Sequence, residues 1–333
     1  MRRLDANVRR AALRTVFAAA LAGVFLFAAG CGADGPSKVV ATYEGGGKVT
    51  RGELDKFIAV QTFLQPMYAL LRDDPEFQNA MLNEYVGLTV LGGRADEAAR
   101  KEADQKVKER MQEFDKIVDQ YTELKQKIKE QRLSNEDFRR FFELQFLAAA
   151  HVGQGVAEED VRKRYDEEIA RDPHAFDTAT VRHILVAFRD ADGNERTRDA
   201  ALARAIEVKK KLEEGADFAE LARTYSDDPG SKNNGGLYEN APVSQWVEPF
   251  RKAAVTLPIG AISDPVETEY GFHVMRVENR HQPGFEEVRD DLRMAIVHEK
   301  IGEFVDKQVP ALIKTNRLPS PSVSSVPSPS PSA

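Results

Sequence analysis

Two histidines lie inside runs that read as β-strands. His183 belongs to Val181-Arg182-His183-Ile184-Leu185-Val186, and His273 to Tyr270-Gly271-Phe272-His273-Val274-Met275-Arg276-Val277. An imidazole buried in an apolar run needs a hydrogen-bond partner. Two of them on strands of one small domain can serve each other, so the chemistry suggested is a shared polar centre in a dry setting. Little else in the chain points to reactivity. The single cysteine, Cys31, excludes an intramolecular disulfide and any cysteine zinc site. The six histidines show no metal-ligand spacing, and there is no Gly-rich phosphate loop. A formal charge of −7 argues against nucleic acid as a partner. No metal, nucleotide or other cofactor is expected.

The elements that must position the two histidines follow from local pattern. The first strand covers 181–188 and is followed by a turn at Asp192-Gly193-Asn194. A helix from Thr197 to Glu214 stops at Gly215, a suitable residue just past a helix end. Asp217-Phe218-Ala219-Glu220 is a capping-box pattern that starts the next helix. A loop rich in Asp, Pro, Asn and Gly then leads towards the second histidine strand.

The order of segments in this stretch carries a family resemblance. Phe218-Ala219-Glu220-Leu221-Ala222 is followed by Ser226-Asp227-Asp228-Pro229-Gly230-Ser231 and by Asn234-Gly235-Gly236-Leu237. Val247-Glu248-Pro249-Phe250, Leu257-Pro258-Ile259-Gly260-Ala261-Ile262-Ser263 and Pro265-Val266-Glu267-Thr268 come after. Roughly residues 178–280 thereby resemble the parvulin family of peptidyl-prolyl cis-trans isomerases. The flanking sequence resembles the extracytoplasmic parvulin foldases of the PrsA and SurA type. The resemblance implies a polar centre made by His183, Asp228 and His273, with Asp228 opposite the two rings. It implies a proline pocket from Leu237, Trp246 and Phe250, with Thr268 and Tyr270 lining the same groove. Asp228, just before Pro229, also reads as a turn former. Three departures from the family pattern stand out. Trp246 occupies a position where methionine is usual, Tyr238 replaces the glycine after Leu237, and Ala241-Pro242-Val243-Ser244-Gln245 is one residue longer and lacks the usual Arg-Gly approach. Arg189-Asp190-Ala191-Asp192 carries no Arg/Lys cluster, which argues against phospho-Ser/Thr-Pro specificity.

The rest of the chain is organised around this domain. Residues 1–30 read as a signal peptide: Arg2, Arg3, Arg9, Arg10 and Arg14 precede an apolar run from Val16 to Ala29 that is short for a membrane span. Ala28-Ala29-Gly30-Cys31 resembles a lipobox, with Cys31 as the lipidation site and residues 31–38 as a lipid-anchored tether. Residues 39–172 read as an N-terminal helical, chaperone-like domain. A short strand at Val39–Tyr43 precedes Thr50-Arg51-Gly52-Glu53, a capping box with a Val49/Leu54 staple. A helix should run from Pro75 to Glu97. Charged i,i+4 pairs over 97–131, with Val107, Met111, Phe114, Val118 and Tyr121 on one face, read as one long helix. Ser134 and Asp137 start another, rich in Phe138, Phe141, Phe142 and Phe146, whose rings suit a bundle core or a greasy cradle for unfolded chains. Ala157 to Arg171 is a further helix. Residues 285–318 read as a C-terminal helix that, by the resemblance, packs back on the N-terminal domain, and 319–333 as a disordered Ser/Pro tail. The fold class expected is α+β: a helical domain built from both chain ends, with an inserted parvulin-like domain holding a small antiparallel sheet flanked by helices.

The function implied is a prolyl isomerase and chaperone that helps exported proteins fold in the cell envelope. Its partners would be unfolded polypeptides with X-Pro bonds and a membrane reached through an N-terminal lipid, with no nucleic acid and no nucleotide. Gly32 rather than aspartate after Cys31 places it, in this resemblance, on the periplasmic side at the outer membrane. The rival expectation is a non-enzymatic holdase whose parvulin-like domain only clamps peptide.

Overall fold

The computed structural model describes residues 35–190 and 193–319. The signal peptide, Cys31, the first part of the tether and the tail from residue 320 lie outside the described residues, as do Ala191 and Asp192, the latter the first residue of the turn expected at 192–194. In chain order the strands are β1 (Val39–Tyr43), β2 (Gly47–Thr50), β3 (Thr178–Ala187), β4 (Leu237–Pro242), β5 (Val266–Thr268), β6 (Gly271–His281) and β7 (Ile313–Asn316). The helices are α1 (Arg51–Leu64), α2 (Pro75–Gly93), α3 (Glu97–Gln120), α4 (Thr122–Glu130), α5 (Asn135–Gln154), α6 (Glu158–Arg171), α7 (Arg198–Glu213), α8 (Phe218–Tyr225), α9 (Glu248–Thr256), α10 (Phe285–Lys307) and α11 (Val309–Leu312). They form two compact units. One joins the chain up to Ala157 with the chain from Arg293 onward, and the other is Glu158–Leu292. Among the described residues no helix is long and apolar enough to cross a membrane.

The first unit is mostly helical, with a small sheet in the order β2-β1-β7. Helix α1 starts where the sequence directs it. The Thr50 hydroxyl accepts the Glu53 N–H at 3.3 Å, and Glu53 accepts the Thr50 N–H at 2.9 Å. Val49 and Leu54 on either side are fully buried. The same reciprocal cap by Ser134 and Asp137 starts α5. The α5 phenylalanines are core rather than cradle: Phe138, Phe141 and Phe142 are buried and meet Phe57, Phe63 and Phe114 ring to ring. Exposed apolar surface lies elsewhere, in the connection from α1 to α2. There Met67 is 77% and Leu70 89% exposed.

Three expectations are corrected here. The charged stretch 97–131 is two helices, broken at Tyr121, which takes extended backbone and is 57% exposed. Beyond Phe114 the apolar face loses burial, Val118 being only half-buried, so tertiary packing no longer supports a long helix. The return segment 285–318 is not one helix: α10 ends at Lys307, and β7 pairs antiparallel with β1. Pro310 has no N–H to give, and its ring clashes with the carbonyl four residues back, so α10 cannot continue unbroken into it, and Pro310 sits instead in the first turn of α11. Finally, α6 groups with the sheet-bearing unit and not with the N-terminal helices. The reason is packing: Tyr165 stacks on Phe176 with centroids 5.4 Å apart and meets Phe285 edge-on, while the Arg162 guanidinium sits over the Phe285 ring.

The second unit is a four-stranded antiparallel sheet in the order β4-β3-β6-β5, flanked by helices. Side chains alternate faces along a strand. On β3 and β6, Ile184, Val186, Phe272 and Val274 point to one face and pack with residues of α7 and α8. Val181, Met275 and Val277 point to the other and pack with Phe250 and Ala254 of α9. His183 and His273 share that second parity, so both rings stand on the α9 face.

Candidate active site

Register brings the two histidines together. His183 pairs with Met275 and His273 with Leu185 across the β3–β6 ladder, which makes the two histidines diagonal neighbours. Their Nδ1 atoms are 3.2 Å apart and the rings stack at 27°. Both side chains are buried.

Asp228 is delivered by a loop sewn to β3 on the stretch that β4 leaves unpaired. The Leu185 N–H donates to Ser226 Oγ at 3.2 Å, and the Asp227 N–H donates to the Leu185 carbonyl at 2.8 Å. Asp227 then fixes the next turn, accepting from the Ala187 N–H at 2.9 Å and from Arg196 at 2.7 Å. Asp228 both forms the turn and faces the histidines. Its carboxylate accepts the backbone N–H groups of Gly230 and Ser231, and its Oδ2 also accepts from His183 Nε2 at 3.1 Å, from the Tyr238 hydroxyl at 2.9 Å and from the Ser231 hydroxyl.

A carboxylate only accepts, so the His183 Nε2 proton points at Asp228, with the Ser231 hydroxyl also 2.9 Å from that nitrogen. His183 Nδ1 faces His273 Nδ1, and His273 Nε2 meets the Thr268 hydroxyl at 2.9 Å, which also reaches the Gly271 carbonyl at 3.3 Å. Thr268 Oγ1 in turn accepts the Tyr270 N–H at 3.2 Å. The hydrogen-bonded row thus runs from Thr268 to Asp228. Burial alone would raise the Asp228 carboxyl, but hydrogen bonds from His183, Ser231 and Tyr238 outweigh it and hold the group well below the usual carboxylate range. Burial, then the neighbouring His183, push His273 down to about 3. Burial, then the Asp228 charge, push the Tyr238 hydroxyl up, so it stays protonated.

The His273 shift predicts a stability slope. The unfolded chain binds a proton at an ordinary histidine pKa of about 6.5, whereas the folded chain resists it down to about 3. Between those values the unfolded state holds more protons, so stability falls as pH falls, by up to about 1.4 kcal/mol per pH unit. Trp246 is the only tryptophan and belongs to this unit, so its fluorescence reads the transition directly. The urea midpoint of the wild type should drop from pH 6.5 to 4.5, and His273→Gln should flatten that dependence. An unchanged slope in the variant would assign the effect to other groups.

The apolar side of the site is aromatic. Phe250 on α9 sets its edge against both histidine rings, at 5.3 and 5.1 Å, and Trp246 meets Phe250 edge-on at 5.1 Å. Thr268 is buried beside His273. Leu237 is half-buried at the start of β4, and the Tyr270 side chain is 56% exposed on the turn between β5 and β6, contributing its backbone to the network. Two members of the cluster were not singled out from sequence as site residues, Ser231 and Tyr238. The Asp-Pro-Gly-Ser spacing held the signal for Ser231, since an aspartate turn places the residue three ahead back at the carboxylate. Tyr238 was visible only as a departure from a glycine. Among the described residues no group of side chains has the makings of a metal site.

Residues 168–281 match the PPIC-type PPIase domain family. The foldase protein PrsA of Caldanaerobacter subterraneus subsp. tengcongensis is 30% identical over 195 residues, covering 58% of each chain. Foldase protein PrsA 3 of Bacillus cereus is 29% identical over 267 residues, covering 78% of this chain and 77% of that one. The matched part thus spans less than two thirds of the first relative's length. A solved PrsA structure from Bacillus anthracis is 26% identical, covers 69% of this chain and 94% of its own, and gives a TM-score of 0.33. With the two-histidine sheet and the family match falling on the same residues, the chain carries at 168–281 a PPIC-type peptidyl-prolyl cis-trans isomerase domain of the parvulin family.

Proposed function

We propose that this domain catalyses cis-trans isomerisation of X-Pro bonds in unfolded polypeptides and that the whole chain acts as a foldase. The observation that carries the reading is the anionic Asp228 aligned on the His183–His273 pair beside an aromatic wall. The X-Pro barrier is ~18–20 kcal/mol, and unassisted turnover takes tens to hundreds of seconds. A 10⁵-fold acceleration requires about 7 kcal/mol of barrier lowering. No bond is made or broken, so the site has only to favour the twisted amide over the planar one. In the planar amide, resonance places negative charge on oxygen. Twisting removes part of it and leaves a ketone-like carbonyl. A carboxylate facing that oxygen therefore repels the planar form more than the twisted one. His183, backed by His273, keeps the carboxylate oriented, Phe250 and Trp246 hold the proline ring and exclude water, Thr268 anchors His273 from within, and Leu237 and Tyr270 form the rim. A low-dielectric wall strengthens the electrostatic term. The test is a protease-coupled assay of the full chain on several short X-Pro peptides. Acceleration supports the reading, and none on any peptide would leave a holdase.

The holdase activity has its own support in the apolar connection carrying Met67, Leu70 and Leu71, which projects to solvent and can cover an exposed apolar stretch of a client. We place the protein in the cell envelope, on clients that are exported polypeptides, with Cys31 as a lipidated mature N-terminus. Stable anchoring needs more than one acyl chain, which a diacylated and N-acylated cysteine supplies. Cys31→Ala should move the protein into the soluble envelope fraction. A variant that stays uncleaved and membrane-bound would assign anchoring to residues 16–29 instead.

A further inference from the structure

We infer that Tyr238 is a positioning residue for isomerisation: its hydroxyl pins the Asp228 carboxylate while its ring backs His183. This rests on the isomerase reading above and adds a residue to it. Three adjacent strands each contribute one ring to a row. Tyr238 on β4 stacks on His183 of β3 at 4.9 Å and 21°, and His183 stacks on His273 of β6. Tyr238 pairs with Val181 across the β3–β4 ladder, which sets it diagonal to His183. Its ring sits on the α9 face with Phe250 and Trp246.

The hydroxyl has a separate task. Of the side-chain donors to Asp228 Oδ2, Ser231 belongs to the same loop and His183 is the ring being oriented. His183 ties the carboxylate to β3, and Tyr238 is the donor that ties it to β4, at 2.9 Å. It also packs against the turn itself, since a Cβ on Gly230 would stand 3.3 Å from the Tyr238 hydroxyl oxygen. His183 already holds Oδ2 from β3, and Tyr238 adds a second donor from β4, so the carboxylate is held from two strands and its charge is fixed facing the place of the amide oxygen. The bulky residue that replaces a small one at this position therefore does more than narrow the groove.

Tyr238→Phe keeps the ring and deletes the donor. On a tetrapeptide with one X-Pro bond, kcat should fall about tenfold, the size expected for one hydrogen bond to a charged group, while KM stays at its wild-type value and the Trp246 urea midpoint falls with the variant still folded. A purely structural ring would leave kcat unchanged in this variant, and that result overturns the inference. A raised KM with unchanged kcat overturns it too, by making Tyr238 a wall of the pocket. Should the variant not fold, NMR of the wild type decides. A slowly exchanging, downfield Tyr238 hydroxyl proton supports the fixed donor, and a fast-exchanging one refutes it. If Asp228→Ala is itself without effect, the isomerase reading fails rather than this addition to it.

Discussion

Asp228→Ala should lower kcat/KM for an X-Pro peptide by about 100-fold or more, the loss typical when one preorganised electrostatic group is removed. Two effects add. The charge that disfavours the planar amide is gone, and His183 loses the acceptor that fixes its tautomer. Asp228→Asn separates them. The amide keeps an oxygen for the His183 Nε2–H and fills the same volume, losing the Gly230 N–H bond at the other position, so the His183 contact survives while charge is lost. If charge carries the effect, Asn and Ala should be comparably slow. If orientation of the histidines carries it, Asn should recover most of the rate. Neither variant touches the apolar connection of the first unit, so suppression of aggregation of an unfolded client should remain near wild type. The complementary variant Met67→Ser/Leu70→Ser/Leu71→Ser should do the reverse. Parallel loss of both activities in both variants would refute two separable functions.

The core of the site was legible because its information is short-range and periodic. Alternation along Val181–Val186 and Phe272–Val277 puts His183 and His273 on the same parity as Val181 and Met275, and a period of two leaves no other face for them once the strands pair. The capping boxes at Thr50 and Ser134 were legible for the same reason, since each is a contact over three residues. The elements misread depend on contacts distant in sequence. Nothing local in Ile313–Asn316 announces a strand, because its partner β1 lies more than 270 residues earlier. The break at Tyr121 follows from where packing on α5 ends, which charge pairs on an exposed face do not report. Tyr238 illustrates the same limit within the site. Its ring is a local fact, whereas its bond to Asp228 depends on how a loop ten residues earlier is folded over β3.

Gly236→Ala should destabilise the second unit by several kcal/mol, about 3–5, among the largest effects open to a single methyl group. Gly236 sits at φ +73°, where a Cβ costs roughly 1–2 kcal/mol. That Cβ would also lie 2.3 Å from the carbonyl oxygen of His183, well inside contact, and the obstacle is backbone of a central strand that has no side-chain freedom to yield. Relief requires β4 to move off β3, which stretches the 2.8 Å bond from the His183 N–H to the Gly236 carbonyl and carries Tyr238 away from Asp228. Gly260 supplies the control. It has a similar φ of +83° but nothing within 4 Å of its Cβ position, so Gly260→Ala should cost only about 1 kcal/mol of backbone strain. Urea midpoints read through Trp246 compare the two directly, and residual kcat/KM of folded Gly236→Ala should fall well below that of Gly260→Ala. Equal midpoints for the two variants would mean that β4 can slide on β3 without cost, and that the close approach at His183 does not hold the site together.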